Sequence, residues 1–179
     1  RGYCGAMAEA LRIELVDDHE VVREGLKGLL NAEKDLTVVG EAGTGHEVLS
    51  FVRAHDCDLV LLDLSMPGKD GLETLKELKI LRPQLPVLVL SVYPEEQYAV
   101  RLLRAGASGY LTKDSAPEEL VAAIRKVSRH GRYVSATLAE RLASLIESPD
   151  DRPPHERLSD REYRVMILEM AREPRRLWH

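Results

Sequence analysis

The sequence predicts an α/β fold in which five parallel strands form one open sheet, doubly wound so that helices cover both faces. Short apolar runs bounded by Gly, Pro or Asp alternate with amphipathic segments of helical length, and five such pairs fit into about 120 residues. With 44% apolar and 31% charged residues among 179, the chain resembles soluble proteins whose core needs no disulfide or metal. Two cysteines, a net charge of −5 and no apolar run near about 18 residues argue against secreted, membrane and broadly nucleic-acid-binding classes.

Each predicted strand is a short apolar run, as expected for parallel strands that are buried on both faces. The five runs are Ile13–Val16, Thr37–Gly40, Leu59–Leu62, Val87–Leu90 and Gly109–Leu111. Glu14 interrupts the first run. Because a buried carboxyl needs a partner or a raised pKa, we expect Glu14 to mark a half-exposed end of the strand.

The segments that follow these runs have apolar residues at the spacing of amphipathic helices. The apolar faces are Val22, Leu26, Leu29 and Leu30 in the first; Val48, Leu49 and Val52 in the second; Leu72, Leu75 and Leu78 in the third; and Leu120, Ala123, Ile124 and Val127 in the fifth. The fourth helix, between Glu95 and Ala105, has the weakest pattern and opens after Pro94.

The rest of the chain divides into three parts. Residues 1–8 have no periodicity and are predicted to be the remnant of a tag. Ser135 is placed to cap a further helix, and residues 147–156 have the Pro-rich, acidic composition of a linker. The apolar stripe of that helix is formed by Leu138, Leu142, Leu145 and Ile146. A last amphipathic stretch, residues 158–171, cannot bury its apolar face alone, so we expect it to be part of a larger unit.

Acidic, hydroxyl and amino side chains stand where the predicted strands end. Asp17 and Asp18 follow the first strand, and Asp63 ends the third. Ser91 ends the fourth strand and Lys113 follows the fifth. Because parallel strands place their carboxyl ends at one edge, the carboxylates are expected to converge there and to bind a hard cation such as Mg²⁺. A carboxylate nucleophile, a divalent ion and two donors suit phosphoryl transfer; the alternative is that the acids cap helices and the lysine is solvated.

Four segments resemble the receiver domain of bacterial two-component response regulators over about residues 11–131. They are LVDDHEVVREGL (15–26), LVLLDLSMPGKDGLETL (59–75), VLVLS (87–91) and AGASGYLTKD (105–114). The first segment, and Asp114 after Lys113, are similar to the NarL/FixJ subfamily, whose output domain is a LuxR-type helix-turn-helix. LSDREYRVMILEMA (158–171) resembles the first helix of that output domain. The sequence after Ala171 departs from the pattern, so we expect the recognition helix to be missing.

The resemblance implies a flavodoxin-like receiver with strand order 2-1-3-4-5, followed by one or two extra C-terminal helices. It implies that Asp63 accepts a phosphoryl group from a phosphohistidine of a sensor histidine kinase. Asp18 would bind Mg²⁺ directly, Asp17 directly or through water, and the backbone carbonyl of Ser65 would complete the protein ligands. His19 follows the acidic pair, but we expect it to be a residue of the first helical turn, because Mg²⁺ prefers oxygen.

The resemblance also assigns the switching residues. Lys113 would pair with Asp63 and then with the phosphoryl group, and Ser91 would donate a hydrogen bond to a phosphoryl oxygen. Tyr110 matches the family's switch aromatic; the alternative is a tyrosine packed on a strand with its hydroxyl in water. Such a chain is a cytoplasmic signalling protein rather than an enzyme, and it forms a homodimer on phosphorylation.

The predicted domains are a receiver at 9–131, a helix and linker at 132–156, and a truncated helix-turn-helix at 157–179. The full-length parent would bind promoter DNA. Residues 152–179 contain seven arginines against five acidic residues, so this chain is not expected to bind DNA specifically, nor to bind a membrane.

Two other classes of protein are alternatives. A haloacid-dehalogenase-type phosphatase would need a second Asp where this chain has Ser65, as well as room for a cap domain. A receiver-like module that no longer accepts phosphate would lack one or more of the core positions, all of which are present.

Overall fold

Five parallel strands form one sheet in the order β2-β1-β3-β4-β5 in the computed structural model, which describes residues 9–64 and 71–147. The strands are β1 (Leu11–Val16), β2 (Leu36–Ala42), β3 (Leu59–Asp63), β4 (Val87–Ser91) and β5 (Gly109–Thr112). The helices are α1 (Glu20–Asn31), α2 (Gly45–Ala54), α3 (Gly71–Leu81), α4 (Glu95–Arg104), α5 (Pro117–Ser128) and α6 (Ala136–Glu147). The predicted α/β class and strand order are confirmed.

Side chains alternate between the two faces of the sheet and form two apolar cores. Val60 and Leu62 of β3 point into the core beneath α2, α3 and α4, whereas Leu59 and Leu61 point into the core beneath α1 and α5. Since both faces are covered, β3 is apolar from Leu59 to Leu62 and β4 from Val87 to Leu90, which is why these two strands appear as unbroken runs in the sequence.

Helix α6 follows the last strand–helix pair and packs beside α4. Leu138 is only 1% exposed and belongs to the same apolar core as α4. Ser135 caps α6 by accepting the backbone N–H of Leu138 (3.1 Å), and its hydroxyl also donates to the carboxylate of Glu95 at the start of α4. The capped helix predicted at this point is present. The tag prediction (1–8), the linker and the amphipathic stretch at 158–171 lie outside the described residues.

The expectation for Glu14 is wrong, because its side chain is fully buried in the sheet. Glu14 pairs with Gly40 of β2 and Val60 of β3, next to an irregularity in the register of β1. A Cβ atom on residue 40 would lie against the Glu14 carboxyl and 2.6 Å from the ring of Phe51, so the glycine provides the space that the carboxyl fills. Burial raises the pKa of Glu14 to about 8, and the nearby charges of β2 and α2 add to the shift. Glu14 is therefore protonated at neutral pH.

Candidate functional site

The acidic residues predicted at the strand ends converge on one edge of the sheet. β1 and β3 are adjacent and parallel, so Asp17, directly after β1, lies beside Asp63, the last residue of β3. Four residues each offer one potential metal-ligand atom, and these four atoms all lie within 4.8 Å of one another. The residues are Asp17, Asp18, His19 and Asp63. Asp17 and Asp63 are buried, each 3% exposed, whereas Asp18 and His19 are partly open to solvent. The site is therefore a buried carboxylate pair with a more open rim.

Lys113 reaches this cluster from the loop that follows β5. Its Nζ atom lies 2.5 Å from Asp17 Oδ2 and 3.4 Å from Asp63 Oδ1, and its side chain is only 7% exposed. Its backbone N–H donates to the carbonyl of Ser91 (2.7 Å), which fixes the start of this loop against β4. Burial acts to raise the pKa of Asp17, but the hydrogen bond and charge of Lys113 outweigh it, so that pKa lies below its usual value. Asp17 and Asp63 thus share one buried ammonium group.

Ser91 and Tyr110 are connected through the backbone of Tyr93. Ser91 ends β4, next to the strand that carries Asp63, and its hydroxyl accepts the backbone N–H of Tyr93 (3.0 Å). The Tyr110 side chain is fully buried, and its hydroxyl donates to the carbonyl of Tyr93 (2.8 Å). Burial raises the pKa of the Tyr110 hydroxyl, which therefore remains protonated as a donor. The alternative in which this hydroxyl lies in water is wrong.

His19, which the sequence predicts to be a residue of the first helical turn, also belongs to the cluster. It occupies the N-cap position of α1 in an extended conformation rather than the first helical turn, and its side chain does not cap the helix. Its backbone N–H donates to Asp17 Oδ1 (2.9 Å), and its Nδ1 atom lies 2.8 Å from Asp18 Oδ1. No local sequence pattern places the ring there, because its position depends on the extended backbone of the N-cap residue. Ser65 lies outside the described residues.

No helix in residues 9–64 and 71–147 combines the length and apolar composition needed to span a bilayer.

Comparisons with known proteins agree with this geometry. Residues 13–125 match the response regulator receiver domain. The response regulator UvrY of Escherichia coli (strain K12) is 38% identical over 159 residues, which cover 88% of this chain and 73% of UvrY. The crystal structure of a LuxR-family two-component response regulator from Aurantimonas sp. SI85-9A1 is 34% identical, with a TM-score of 0.71, and covers 78% of this chain and 100% of that one.

A further similar structure is that of RcsB from Salmonella enterica serovar Typhimurium, bound to promoter DNA in the presence of the phosphomimetic BeF₃⁻. It is 26% identical with a TM-score of 0.69, over 90% of this chain and 77% of that one. The match to the receiver domain covers more than half of the chain, UvrY is more than 30% identical over 73% of its own length, and the Aurantimonas protein is a LuxR-family response regulator. The chain therefore belongs to the response regulator receiver family and is a response regulator of the NarL/FixJ type.

Proposed function

We propose that this chain accepts a phosphoryl group on Asp63 from a phosphohistidine of a sensor histidine kinase, in a Mg²⁺-dependent reaction. The change of state then controls transcription through a DNA-binding output domain. The observation that supports the proposal most directly is the placement of Asp63, a buried carboxylate 3.4 Å from the ammonium of Lys113 and beside two further carboxylates. A buried carboxylate with a cation next to it is suited to act as a nucleophile toward a phosphoryl group.

The donor set fits Mg²⁺, because carboxylate oxygens are the ligands that this ion prefers. Asp18 and Asp63 would hold the ion, with Asp17 bound directly or through water and the carbonyl of Ser65 as a further ligand. When bound, the ion neutralises charge on the phosphoryl oxygens. In this structure the ammonium of Lys113 contributes positive charge at the carboxylate pair.

The chain's own residues would act in sequence around the phosphorus atom. An oxygen of Asp63 attacks the phosphorus, forming a P–O bond as the P–N bond to the kinase histidine breaks and the imidazole leaves with the electron pair. Lys113 then exchanges its contact with the Asp63 carboxylate for one with a phosphoryl oxygen, as charge-assisted pairing favours. Ser91 donates its hydroxyl hydrogen to another phosphoryl oxygen.

The same hydroxyl provides a route for switching. Ser91 accepts the N–H of Tyr93 in this structure, and Tyr110 donates to the Tyr93 carbonyl. Turning the Ser91 hydroxyl toward a phosphoryl group would alter its hydrogen bond with the Tyr93 N–H. The backbone of Tyr93 would then shift, and with it the carbonyl that accepts from Tyr110. Because Tyr93 leads directly into α4, the shift would be passed to the face formed by α4, β5 and α5. We infer that this face mediates homodimerisation of the phosphorylated protein.

The proposed domains are a receiver at 9–131, a helix and linker at 132–156, and a segment at 157–179 that resembles the start of a helix-turn-helix. Promoter DNA would be the target of the full-length parent, as it is for RcsB in the complex described above. Since phosphoryl transfer requires access to a kinase phosphorylated from ATP, the proposal places the protein in the cytoplasm.

Incubation with acetyl phosphate and Mg²⁺, followed by intact-mass spectrometry, tests this proposal. The wild type should gain the mass of one HPO₃ group, Asp63→Asn should gain none, and the control Asp56→Asn, at an exposed aspartate, should match the wild type. An undiminished adduct in Asp63→Asn would refute the assignment. Absence of any adduct in the wild type would favour a module that only binds partners, and multiple turnover of acetyl phosphate would favour a phosphatase.

A further inference from the structure

We propose that the imidazole of His19 is a direct ligand of the metal ion held by Asp17, Asp18 and Asp63, and that it makes this site prefer first-row transition ions such as Mn²⁺ over Mg²⁺. The inference rests on the metal site of the proposed function and concerns which ion occupies it. His19 would thus be a specificity-determining residue for the ion, in addition to the carboxylates.

The position of the ring nitrogen supports this role. Nδ1 of His19 lies 2.8 Å from Asp18 Oδ1 and 3.2 Å from Asp17 Oδ1. Two neighbouring ligands of an octahedral ion with bonds of 2.0–2.1 Å are separated by about 3.0 Å. The nitrogen therefore already lies at the spacing of an adjacent ligand from both carboxylates, and an ion entering between them requires little movement of the ring.

The backbone explains why the ring is held there. His19 is the N-cap residue of α1, with φ −95° and ψ 109°, and its N–H donates to Asp17 Oδ1. This hydrogen bond fixes the backbone of His19 next to the Asp17 carboxylate, and the His19 ring lies beside the same carboxylate. The side chain is 41% exposed, so an ion and its waters can reach it. With the ring proton on Nε2, the Nδ1 lone pair faces the carboxylates and can bind the ion that replaces the hydrogen bond.

The chemical consequence follows from ligand preference. Mg²⁺ favours an all-oxygen shell, whereas first-row transition ions gain affinity from an imidazole nitrogen, increasingly along the series from Mn²⁺ to Cu²⁺. Replacing one water of the shell by His19 therefore favours the transition ion. Such an ion carries the same charge as Mg²⁺, so it can neutralise phosphoryl oxygens equally well, and the roles of Asp63 and Lys113 are unchanged.

The experiment compares metal binding to the full chain in the wild type, His19→Ala and the control His46→Ala, whose histidine is exposed on α2. Calorimetric titration with Mn²⁺ and with Mg²⁺ gives the affinity ratio. Pulsed electron paramagnetic resonance of the Mn²⁺-loaded protein, with ¹⁴N and then ¹⁵N histidine, detects a directly bound ring nitrogen. Thermal melting confirms that each variant is folded.

We expect histidine nitrogen coupling in the wild type and in His46→Ala, and none in His19→Ala. We also expect Mn²⁺ affinity to fall on the order of tenfold in His19→Ala while Mg²⁺ affinity stays nearly constant. Mn²⁺ bound without nitrogen coupling in the wild type, or equal losses for both ions in His19→Ala, would overturn the inference and leave the proposed function intact. If Asp18→Ala bound both ions as tightly as the wild type, the metal site itself would be wrong.

Discussion

Replacing Glu14 by Gln should stabilise the receiver at neutral pH, because the buried carboxyl opposes folding whenever the unfolded chain would ionise it. In the folded protein the side chain is fully buried, and neither of its oxygens has a hydrogen-bond partner among the described residues. Burial raises its pKa from 4.5 to about 8. Gln has nearly the same shape but does not ionise, so Glu14→Gln removes the free-energy cost of keeping this carboxyl protonated in the folded protein.

The size and sign of the effect follow from proton linkage. Between pH 4.5 and about pH 8 the folded protein keeps a proton on Glu14 that the unfolded chain releases, so stability falls as pH rises. At about 1.36 kcal/mol per pH unit, the cost reaches about 3 kcal/mol at pH 7 and levels off near 5 kcal/mol above the folded pKa. Below pH 4.5 both states are protonated and the cost disappears.

Urea unfolding of the wild type and Glu14→Gln across this pH range measures the difference directly. The two proteins should have similar free energies of unfolding in acid and should separate progressively as the pH rises. Glu24→Gln, at an exposed position of α1, provides the matched control and should follow the wild type. Parallel pH profiles for Glu14→Gln and the wild type would refute the reasoning, since they would mean that the carboxyl ionises as readily in the folded protein as in the unfolded chain.

Three further outcomes are expected. Gly40→Ala should lower the free energy of unfolding by about 1–3 kcal/mol, because its Cβ atom would collide with the Glu14 carboxyl. Adding Glu14→Ala should recover part of this loss. An unchanged melting temperature in Gly40→Ala would contradict the prediction. Lys113→Met should raise the affinity for Mg²⁺ about tenfold in a fluorescence titration, because it removes a buried ammonium from between two carboxylates; weaker binding would count against it. Tyr110→Phe should cost about 1 kcal/mol of unfolding free energy, since it leaves the Tyr93 carbonyl without its donor, and chemical denaturation showing no change would exclude an important bond.

The sequence predicted the elements well and their ends less well. Hydrophobic runs indicate where a strand lies between covering helices, but the run ends at the first polar residue, whereas the strand continues. β2 and β5 therefore end at Ala42 and Thr112, beyond the predicted runs Thr37–Gly40 and Gly109–Leu111. The residues beyond these runs gain strand geometry from the neighbouring strands, which no local pattern contains. The convergence of the carboxylates could still be anticipated, since the edge that parallel strands share does not depend on their exact ends.

Two side chains could not be placed from local sequence. The burial of Glu14 depends on Gly40, whose missing side chain lies opposite it only because of the register between β1 and β2. The orientation of His19 depends on the extended backbone of the N-cap residue of α1. Both outcomes are set by tertiary geometry rather than by periodicity.

The packing of α6 against α4 bears on how chimeric regulators are assembled from parts. A junction placed at residue 131, where the strand–helix pattern ends, would separate Leu138 from the apolar core and Ser135 from Glu95. The surface of α4 that α6 covers would then contact the fused sequence instead. A junction placed after Glu147 keeps the helix with the surface that it covers. For recombination, by engineering or in evolution, the transferable unit is therefore the sheet with helices α1 to α6, and a new output domain is best attached beyond α6.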